Sequence, residues 1–276
     1  MTPEPDSPRR TITAKVKLSL SGTPVEAEIT VPTASFPLPM LLPTFRSLAG
    51  MIIEQAVEDA ESEGLAISCR SGCGACCRQL VPISEVEARL IHDLVAGLPE
   101  PRRSGVLARF AAARRRLEEA GLLAMLLRPE AFSDDQLRPL ALEYFGQGVP
   151  CPFLEDESCS IYEERPIACR EYLVTSPAEH CAKPSPETVH CLKLAAKVSR
   201  ALNRIGEDPA GRFVRWVPLI TALEWAEGNP DDLPPRPGPE WLREFFEKLT
   251  GDQIPAPAAA DPPEERFQSA GDRGVD

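Results

Sequence analysis

The sequence predicts an α+β fold that is mostly α, in which helices wrap an irregular cysteine-rich core and an N-terminal β-hairpin precedes them. Three observations support this prediction. Residues 11–32 alternate apolar and polar side chains, as strands do, whereas later apolar residues mostly recur at helical spacing. Two stretches between the predicted helices concentrate eight of the nine cysteines.

Composition and charge exclude one class of partner. Of the 276 residues, 43% are hydrophobic, which suffices for a packed core, and the net charge is −12. This charge argues against nucleic-acid binding, which needs a basic face to neutralise phosphates. The basic run "RRSGVLARFAAARRR" is interpreted as a solvated helix face. We therefore expect no nucleic-acid partner.

The ends and the apolar runs of the chain bear on its location. The N-terminus has prolines and acids where a signal peptide needs an apolar core, and no apolar run reaches the roughly 18 residues of a membrane span. We expect no membrane association and a cytoplasmic location. Because thiols stay reduced in the cytoplasm, nine cysteines favour metal ligands over disulfides.

The first predicted element is a β-hairpin in an N-terminal unit of residues 1–40. The runs "TITAKVKLSL" and "VEAEITVP" flank a turn-forming cluster, Ser21-Gly22-Thr23-Pro24. An isolated hairpin is marginally stable in water. We therefore expect this one to lie on the main domain or on a partner.

A helical domain is predicted over residues 41–205. Ser84 and Glu87 have the spacing of a capping box at the start of one helix. A Ser-Pro pair opens another, because Ser is a favoured N-cap and Pro a favoured first helical residue. In chain order, we predict helices over about 44–63, 85–95, 103–120, 133–145 and 185–205.

The remaining residues divide into a helical and an irregular part. Residues 206–250 are predicted to hold C-terminal helices, one from Pro218 to Glu227 and one in "EWLREFFEKL". Residues 251–276 are rich in Pro, Ala and charged residues, a composition that predicts a disordered tail.

The cysteines form two groups separated by 73 residues. The first group is Cys69, Cys73, Cys76 and Cys77, and the second is Cys151, Cys159, Cys169 and Cys181. Thiolates bind zinc or iron tightly, and a structural zinc takes four ligands in a tetrahedron. Eight sulfurs would satisfy two zinc ions, or one iron–sulfur cluster with several cysteines left over. The adjacent pair Cys76-Cys77 points its side chains in different directions, which favours a polynuclear cluster or two nearby ions.

These motifs resemble the YkgJ-type cysteine cluster family, described as zinc- or iron-chelating. The resemblance rests on "CRSGCGACCRQLVPISEVEARLI" followed by "CPFLEDESCSIYEERPIACREY", and it covers roughly residues 68–190. It implies a metal-centred domain in which those eight cysteines are the ligands. The implied function is metal binding in a structural or metal-handling role, with zinc or an iron–sulfur cluster as the cofactor.

An enzyme is the alternative function. Flagellin lysine N-methylases resemble the family in carrying the same type of cysteine domain, which implies methyl transfer or a redox reaction at an iron–sulfur centre. The spacing of Cys69, Cys73 and Cys76 also resembles that of radical S-adenosylmethionine enzymes, but no alternating strand–helix pattern follows it. The sequence assigns no catalytic residue and identifies no protein partner.

Six further residues bear on a metal site. Cys191 continues a four-then-three apolar spacing along the predicted helix at 185–205, so we interpret it as a core-packing residue. His180 and His190 precede Cys181 and Cys191 and could supply a nitrogen ligand, although partial exposure without such a role is the commoner case. His92 is predicted to be solvated. Arg165 and Arg170 could neutralise thiolate charge or form surface ion pairs.

Overall fold

The N-terminal hairpin is present in the computed structural model, which describes residues 11–20, 23–128, 131, 134–185, 187–206 and 216–254. Strands β1 (Thr11–Leu20) and β2 (Thr23–Pro32) pair antiparallel from Thr11↔Pro32 to Leu20↔Thr23. The predicted turn residues Ser21-Gly22 lie outside the described residues. Along β2, buried Ala27, Ile29 and Val31 alternate with exposed positions, so one face of the hairpin packs on the domain.

The first half contains the four predicted helices and one short helix that was not predicted. They are α1 (Leu42–Ser62), α2 (Glu85–Ala96), α3 (Arg102–Glu119), the short α4 (Leu123–Leu126) and α5 (Asp134–Gly146). The predicted capping box closes the start of α2: the Glu87 backbone N–H donates to Ser84 Oγ, and the Ser84 N–H donates to Glu87 Oε2 at 3.1 Å.

Short strand pairs connect distant parts of the chain. Besides the hairpin, they are β3 (Ser35–Phe36) with β8 (Arg236–Pro237), β4 (Pro82–Ser84) with β7 (Trp216–Pro218), and β5 (Leu154–Glu155) with β6 (Ser158–Cys159). The β3–β8 pair joins the N-terminal part of the chain to the residues just before α9. The β4–β7 pair joins the residues after the first cysteine group to the residues before α8.

The second half departs from the prediction at one helix. Its helices are α6 (Ile167–Arg170), α7 (Val198–Leu202), α8 (Ala222–Gly228) and α9 (Gly238–Thr250). The long helix predicted over 185–205 is wrong, because only α7 forms there. Residues 190–192 instead pair with residues 173–175, and this ladder is incompatible with a helix through Cys191. Of the predicted disordered tail at 251–276, residues 255–276 lie outside the described part.

Apolar packing is concentrated in separate clusters. The largest unites the hairpin, α1, α7 and α9 around Phe45, Trp241 and Phe245, none of which has exposed surface. A second cluster joins α2, α3 and α8 around Phe110 and Phe153. The cysteine-bearing segments run between these clusters. The architecture is thus α+β and mostly α, as predicted. None of the helices in the described part of the chain is long and apolar enough to cross a bilayer.

Candidate metal centre

Eight cysteines line one cavity of about 370 Å³. They are the eight predicted ligands: Cys69, Cys73, Cys76, Cys77, Cys151, Cys159, Cys169 and Cys181. All nine cysteines of the chain are free thiols. The structure therefore brings together segments that lie up to 112 positions apart in the chain.

The first segment turns tightly between its cysteines. Gly72 has a φ of +82°, a conformation that side-chain-bearing residues rarely adopt, and the Cys73 N–H donates to the Arg70 carbonyl at 3.1 Å. A 3₁₀ helix, Ala75–Arg78, then carries the adjacent pair of cysteines. Gly74 allows close approach of the second segment, since a Cβ there would lie 2.7 Å from Leu154 Cδ1.

The second segment is held against the first by backbone and side-chain contacts. The Cys151 N–H donates to the Cys77 carbonyl at 2.7 Å. Arg78 forms an ion pair with Glu157 at 2.7 Å, in the turn between β5 and β6. From α3, Arg109 donates to the Pro152 carbonyl and to Glu155 Oε1, both at 2.5 Å. Part of the basic run of α3 thus positions the cysteine-bearing hairpin.

The other two cysteines of the cavity lie on short helices. Cys169 lies in α6, whose first N–H, that of Ile167, donates to the buried Glu87 carboxylate at 2.8 Å. The same carboxylate completes the capping box of α2, so one side chain fixes both helix starts. Cys181 is buried, with 4% of its surface exposed, in a 3₁₀ helix, Ala178–Ala182, that packs against the helix Ala75–Arg78.

The cavity disfavours the uncompensated charge of several thiolates. Burial raises the pKa of Cys151 to about 12 and that of Cys181 to about 11, and neighbouring thiolates add to both rises. Burial also raises the pKa of Cys169, as do the thiolates of Cys151 and Cys76. A hydrogen bond from Cys77 is the main cause that lowers the pKa of Cys76, to about 7. A bound metal cation would supply the positive charge that such a set of thiolates requires.

The donor set suits zinc or iron, but the sulfurs surround a cavity and do not converge on a point. Among the described residues, no three Cys, His, Asp or Glu side chains are grouped closely enough to hold one ion. The cysteine-bearing segments consist of turns and elements of two to five residues. Small movements of these segments would be needed to bring four sulfurs to about 2.3 Å from a zinc ion.

Arg165 and Arg170, which the sequence indicated as possible partners of the thiolates, have different surroundings. Arg165 lines the cavity and lies 3.9 Å from the centre of the Tyr162 ring. Burial raises the pKa of Cys159, and the Arg165 charge opposes this rise; it also adds to the lowering of the pKa of Cys76 that the hydrogen bond from Cys77 causes. Arg170 donates to the carbonyls of Glu163 and Arg165. Arg165 therefore acts on the thiolates, whereas Arg170 orders the loop that carries it.

The three histidines, all within the described part of the chain, do not line the cavity. His180 Nδ1 lies 3.0 Å from the Thr188 carbonyl, and His92 Nδ1 lies 3.1 Å from Asp93. His190 is exposed. Tyr172, the last residue of the second quoted motif, also lines the cavity and is half-buried, although the sequence assigned it no role.

Cys191 does not have the position predicted for it. It is exposed, so the interpretation as a core-packing residue is wrong. The apolar spacing that suggested packing assumed a helix, and without that helix only Val198, Leu202 and Ile205 of the series are buried. Cys191 borders a second cavity, beside Ile52 and Ala56 of α1.

Comparison with known proteins identifies the cysteine-bearing segment. Residues 68–191 match the model of the CxxCxxCC family, described as "Putative zinc- or iron-chelating domain". No curated protein and no solved structure shows significant similarity to the chain. The match begins one residue before Cys69 and ends on Cys191, so it includes every cysteine of the chain. The segment 68–191 is therefore similar to this family of zinc- or iron-chelating domains, which agrees with the resemblance that its cysteine motifs indicated.

Proposed function

We propose that the chain binds zinc or an iron–sulfur cluster through cysteine thiolates and has a structural or metal-handling role. The proposed ligands are those that line the cavity: Cys69, Cys73, Cys76, Cys77, Cys151, Cys159, Cys169 and Cys181. The observation that carries the proposal is that two segments separated by 73 residues contribute all eight sulfurs to one cavity. Chance burial of small side chains would not select cysteine at eight positions around a single space.

The surroundings of the cavity support a metal that organises the fold. The segments at 68–81 and 151–192 contain little regular structure, and metal binding would fix loops that apolar burial alone secures weakly. Glu87, Arg78 and Arg109 already hold these segments at their bases. A bound ion would then fix cysteine side chains whose segments the protein already holds close together.

Zinc and iron both suit a site made of cysteine thiolates alone. Zinc would bind four sulfurs per ion, and a four-iron cluster would also use four cysteines. The alternative of an iron–sulfur-dependent enzyme finds no support in the family description, which refers to chelation only.

Purification of the full chain without oxygen, followed by elemental analysis and a visible spectrum, tests the proposal. We expect stoichiometric metal, with a colourless protein for zinc and a brown one for an iron–sulfur cluster. Cys73→Ser and Cys169→Ser should each lower the metal content. Ala168→Ser is the matched control, because it places the same hydroxyl beside Cys169 and removes no thiol. A metal-free chain that takes up neither Zn²⁺ nor iron would refute the proposal.

A further inference from the structure

The short helix α6 carries Cys169 between the apolar core and the cavity. Ile167 has no exposed surface and packs in the cluster around Phe45 and Trp241, whereas Cys169 lines the cavity. Successive residues of a helix are turned by roughly 100°, so residues two positions apart point to nearly opposite sides. One side of α6 therefore packs on the core, and the other side presents the sulfur.

A helix of one turn needs partners at both ends, because most of its backbone N–H and C=O groups have none within the helix. At the start of α6, the Ile167 N–H donates to the carboxylate of Glu87, which is 2% exposed. At the end of α6, the Glu171 N–H donates to the Ile167 carbonyl at 3.0 Å and closes the turn. The Glu171 side chain is also buried, so a buried carboxylate lies at each end of the helix.

The Glu171 carboxylate bonds to a third element, α7. Its oxygens accept hydrogen bonds from the Ser199 backbone N–H at 3.2 Å and from the Ser199 hydroxyl. Ser199 is the second residue of α7, and the N-cap residue of that helix, Lys197, makes no side-chain cap. Glu171 therefore accepts from the start of α7 in place of a local cap.

The helix α7 gives this contact a fixed base. Val198, Ala201 and Leu202 are at most 2% exposed and lie in the apolar cluster that α1 and α9 share. The hydrogen bonds of Glu171 thus connect α6 to the apolar core at a second point, separate from Ile167.

The side-chain contacts of the β5–β6 hairpin, which carries Cys159, are more exposed. Arg78 and Glu157 have 32% and 57% of their side-chain surfaces exposed, and Arg109 and Glu155 have 36% and 40%. Glu171 and Ser199 are only 5% and 6% exposed. A hydrogen bond at a buried place is stronger, because water does not compete for its donor and acceptor.

We propose that Glu171 is a positioning residue for Cys169. Its hydrogen bonds to Ser199, together with the contact of Glu87, fix both ends of α6 and so hold the Cys169 sulfur at the cavity before a metal binds. This inference rests on the proposed function and extends it, because it identifies a ligand that the scaffold places in advance.

Alkylation of the metal-free full chain with iodoacetamide, read by mass spectrometry, tests the position of the sulfur. Glu171→Ala should accelerate alkylation of Cys169 by at least about 10-fold and leave that of Cys159 unchanged. Glu179→Ala is the matched control and should change neither rate. Glu179 is exposed and also lies two positions from a proposed ligand, Cys181, but its side chain makes no hydrogen bond within the described part of the chain.

Ser199→Ala provides a second variant in case Glu171→Ala does not fold. It removes one donor and keeps the backbone N–H from which Glu171 accepts. Alkylation of Cys169 should therefore accelerate by a smaller factor, about 3-fold. In a folded double variant, Glu171→Ala/Ser199→Ala, the rate should equal that of Glu171→Ala alone, because both changes remove the same interaction.

Competition for Zn²⁺ with a chromophoric chelator measures the consequence for metal binding. Glu171→Ala should bind Zn²⁺ about 10-fold more weakly than Glu179→Ala, the lower end of the effect of residues that orient a metal ligand. Equal affinities in these two variants would overturn the inference. So would unchanged alkylation of Cys169 in Ser199→Ala and Glu171→Ala, or equal acceleration at Cys169 and Cys159, which would indicate a general loss of stability.

Failure of the proposed function has a different result. A wild-type chain that binds no metal would refute that function, whereas the alkylation rates of the metal-free chain would still show whether Glu171 holds Cys169 in place.

Discussion

The apolar core around α1 and α9 and the cysteine-bearing segments are built on different principles. In the core, the Phe45 and Phe245 rings stack with centroids 4.1 Å apart, and the buried Trp241 donates from Nε1 to the Phe36 carbonyl at 2.9 Å. The elements that carry the cysteines have two to five residues each. The first region can hold its shape by burying apolar surface, whereas the second offers sulfurs around a cavity, which an ion would close under the proposed function.

This difference shows how one chain can combine a self-sufficient scaffold with a region that depends on a ligand. The scaffold contacts the cysteine segments through the polar side chains of Glu87 and Arg109, and it shares apolar clusters with Phe153 and Ile167 of the second segment. The following predictions separate the two regions, beginning with the removal of the metal and the loss of a core side chain and ending with the smallest expected effect.

Removal of the metal should loosen only the cysteine region. In the metal-loaded chain treated with a chelator, we expect amide hydrogen exchange at 68–81 and 151–192 to accelerate by at least about 100-fold, equivalent to ~3 kcal/mol. Exchange in α1 and α9 should change little, because the apolar cluster that these helices share contains no cysteine. Hydrogen exchange read by mass spectrometry measures both regions in one experiment, and equal acceleration everywhere would show that the scaffold is not independent.

Truncation of Trp241 should destabilise the apolar core and leave metal binding unchanged. Trp241 is fully buried, hydrogen-bonded, and covered by the Arg236 guanidinium 4.5 Å from its ring. Trp241→Ala should lower the free energy of unfolding by about 3–5 kcal/mol, with the metal stoichiometry of the folded fraction unchanged. Urea denaturation and elemental analysis measure the two quantities. Leu107→Ala, at an exposed apolar residue of α3, is the control and should cost less than about 0.5 kcal/mol.

Two glycines allow the same substitution to be compared in both regions. A Cβ at Gly74 would lie 3.0 Å from the Glu157 carbonyl, and one at Gly238 would lie 2.5 Å from Val31 Cβ. Gly74→Ala and Gly238→Ala should each destabilise the chain by about 1–3 kcal/mol through overpacking. Only Gly74→Ala should also weaken Zn²⁺ binding, because it separates the two cysteine-bearing segments.

The control for this pair is Gly50 in α1. A Cβ there would meet no atom within 4 Å, so Gly50→Ala should stabilise the chain by about 0.5–1 kcal/mol through helix propensity. Competition for Zn²⁺ with a chromophoric chelator and urea denaturation would measure all three variants. Equal loss of Zn²⁺ affinity in Gly74→Ala and Gly238→Ala would mean that the regions are coupled.

Ion pairs should give the smallest effects. Lys15 and Glu28 on the hairpin are 3.0 Å apart, with 76% and 64% of their side-chain surfaces exposed, so Lys15→Met should cost close to zero. Arg78 is less exposed, pairs with Glu157 and also donates to the Gly74 carbonyl at 2.9 Å, so Arg78→Met should cost up to about 1 kcal/mol. Thermal unfolding measures the stability lost in each variant. A larger loss in Lys15→Met than in Arg78→Met would contradict the expectation that the Arg78–Glu157 pair contributes more to stability than the Lys15–Glu28 pair.

Local sequence patterns were sufficient to predict most helices and the hairpin. Alternation predicted the hairpin, helical spacing predicted α1, α3, α5 and α9, and the Ser84–Glu87 spacing predicted the start of α2. The helix through Cys191 failed because its apolar spacing was equally compatible with a chain that pairs with residues 173–175. A local pattern contains no information about a pairing partner such as Val174, which lies 17 positions before Cys191 in the chain.

The sequence by itself determined the kind of chemistry, because closely spaced cysteines beside turn-forming glycines identify a metal-chelating segment wherever it lies in a fold. It also determined which segments form long helices, since that depends on neighbours three and four residues apart. Only the tertiary structure decided that eight cysteines line one cavity, that Glu87 joins α2 to α6, and that Cys191 lies exposed beside Val174. These relationships depend on contacts between residues far apart in the chain, which spacing along one segment cannot specify.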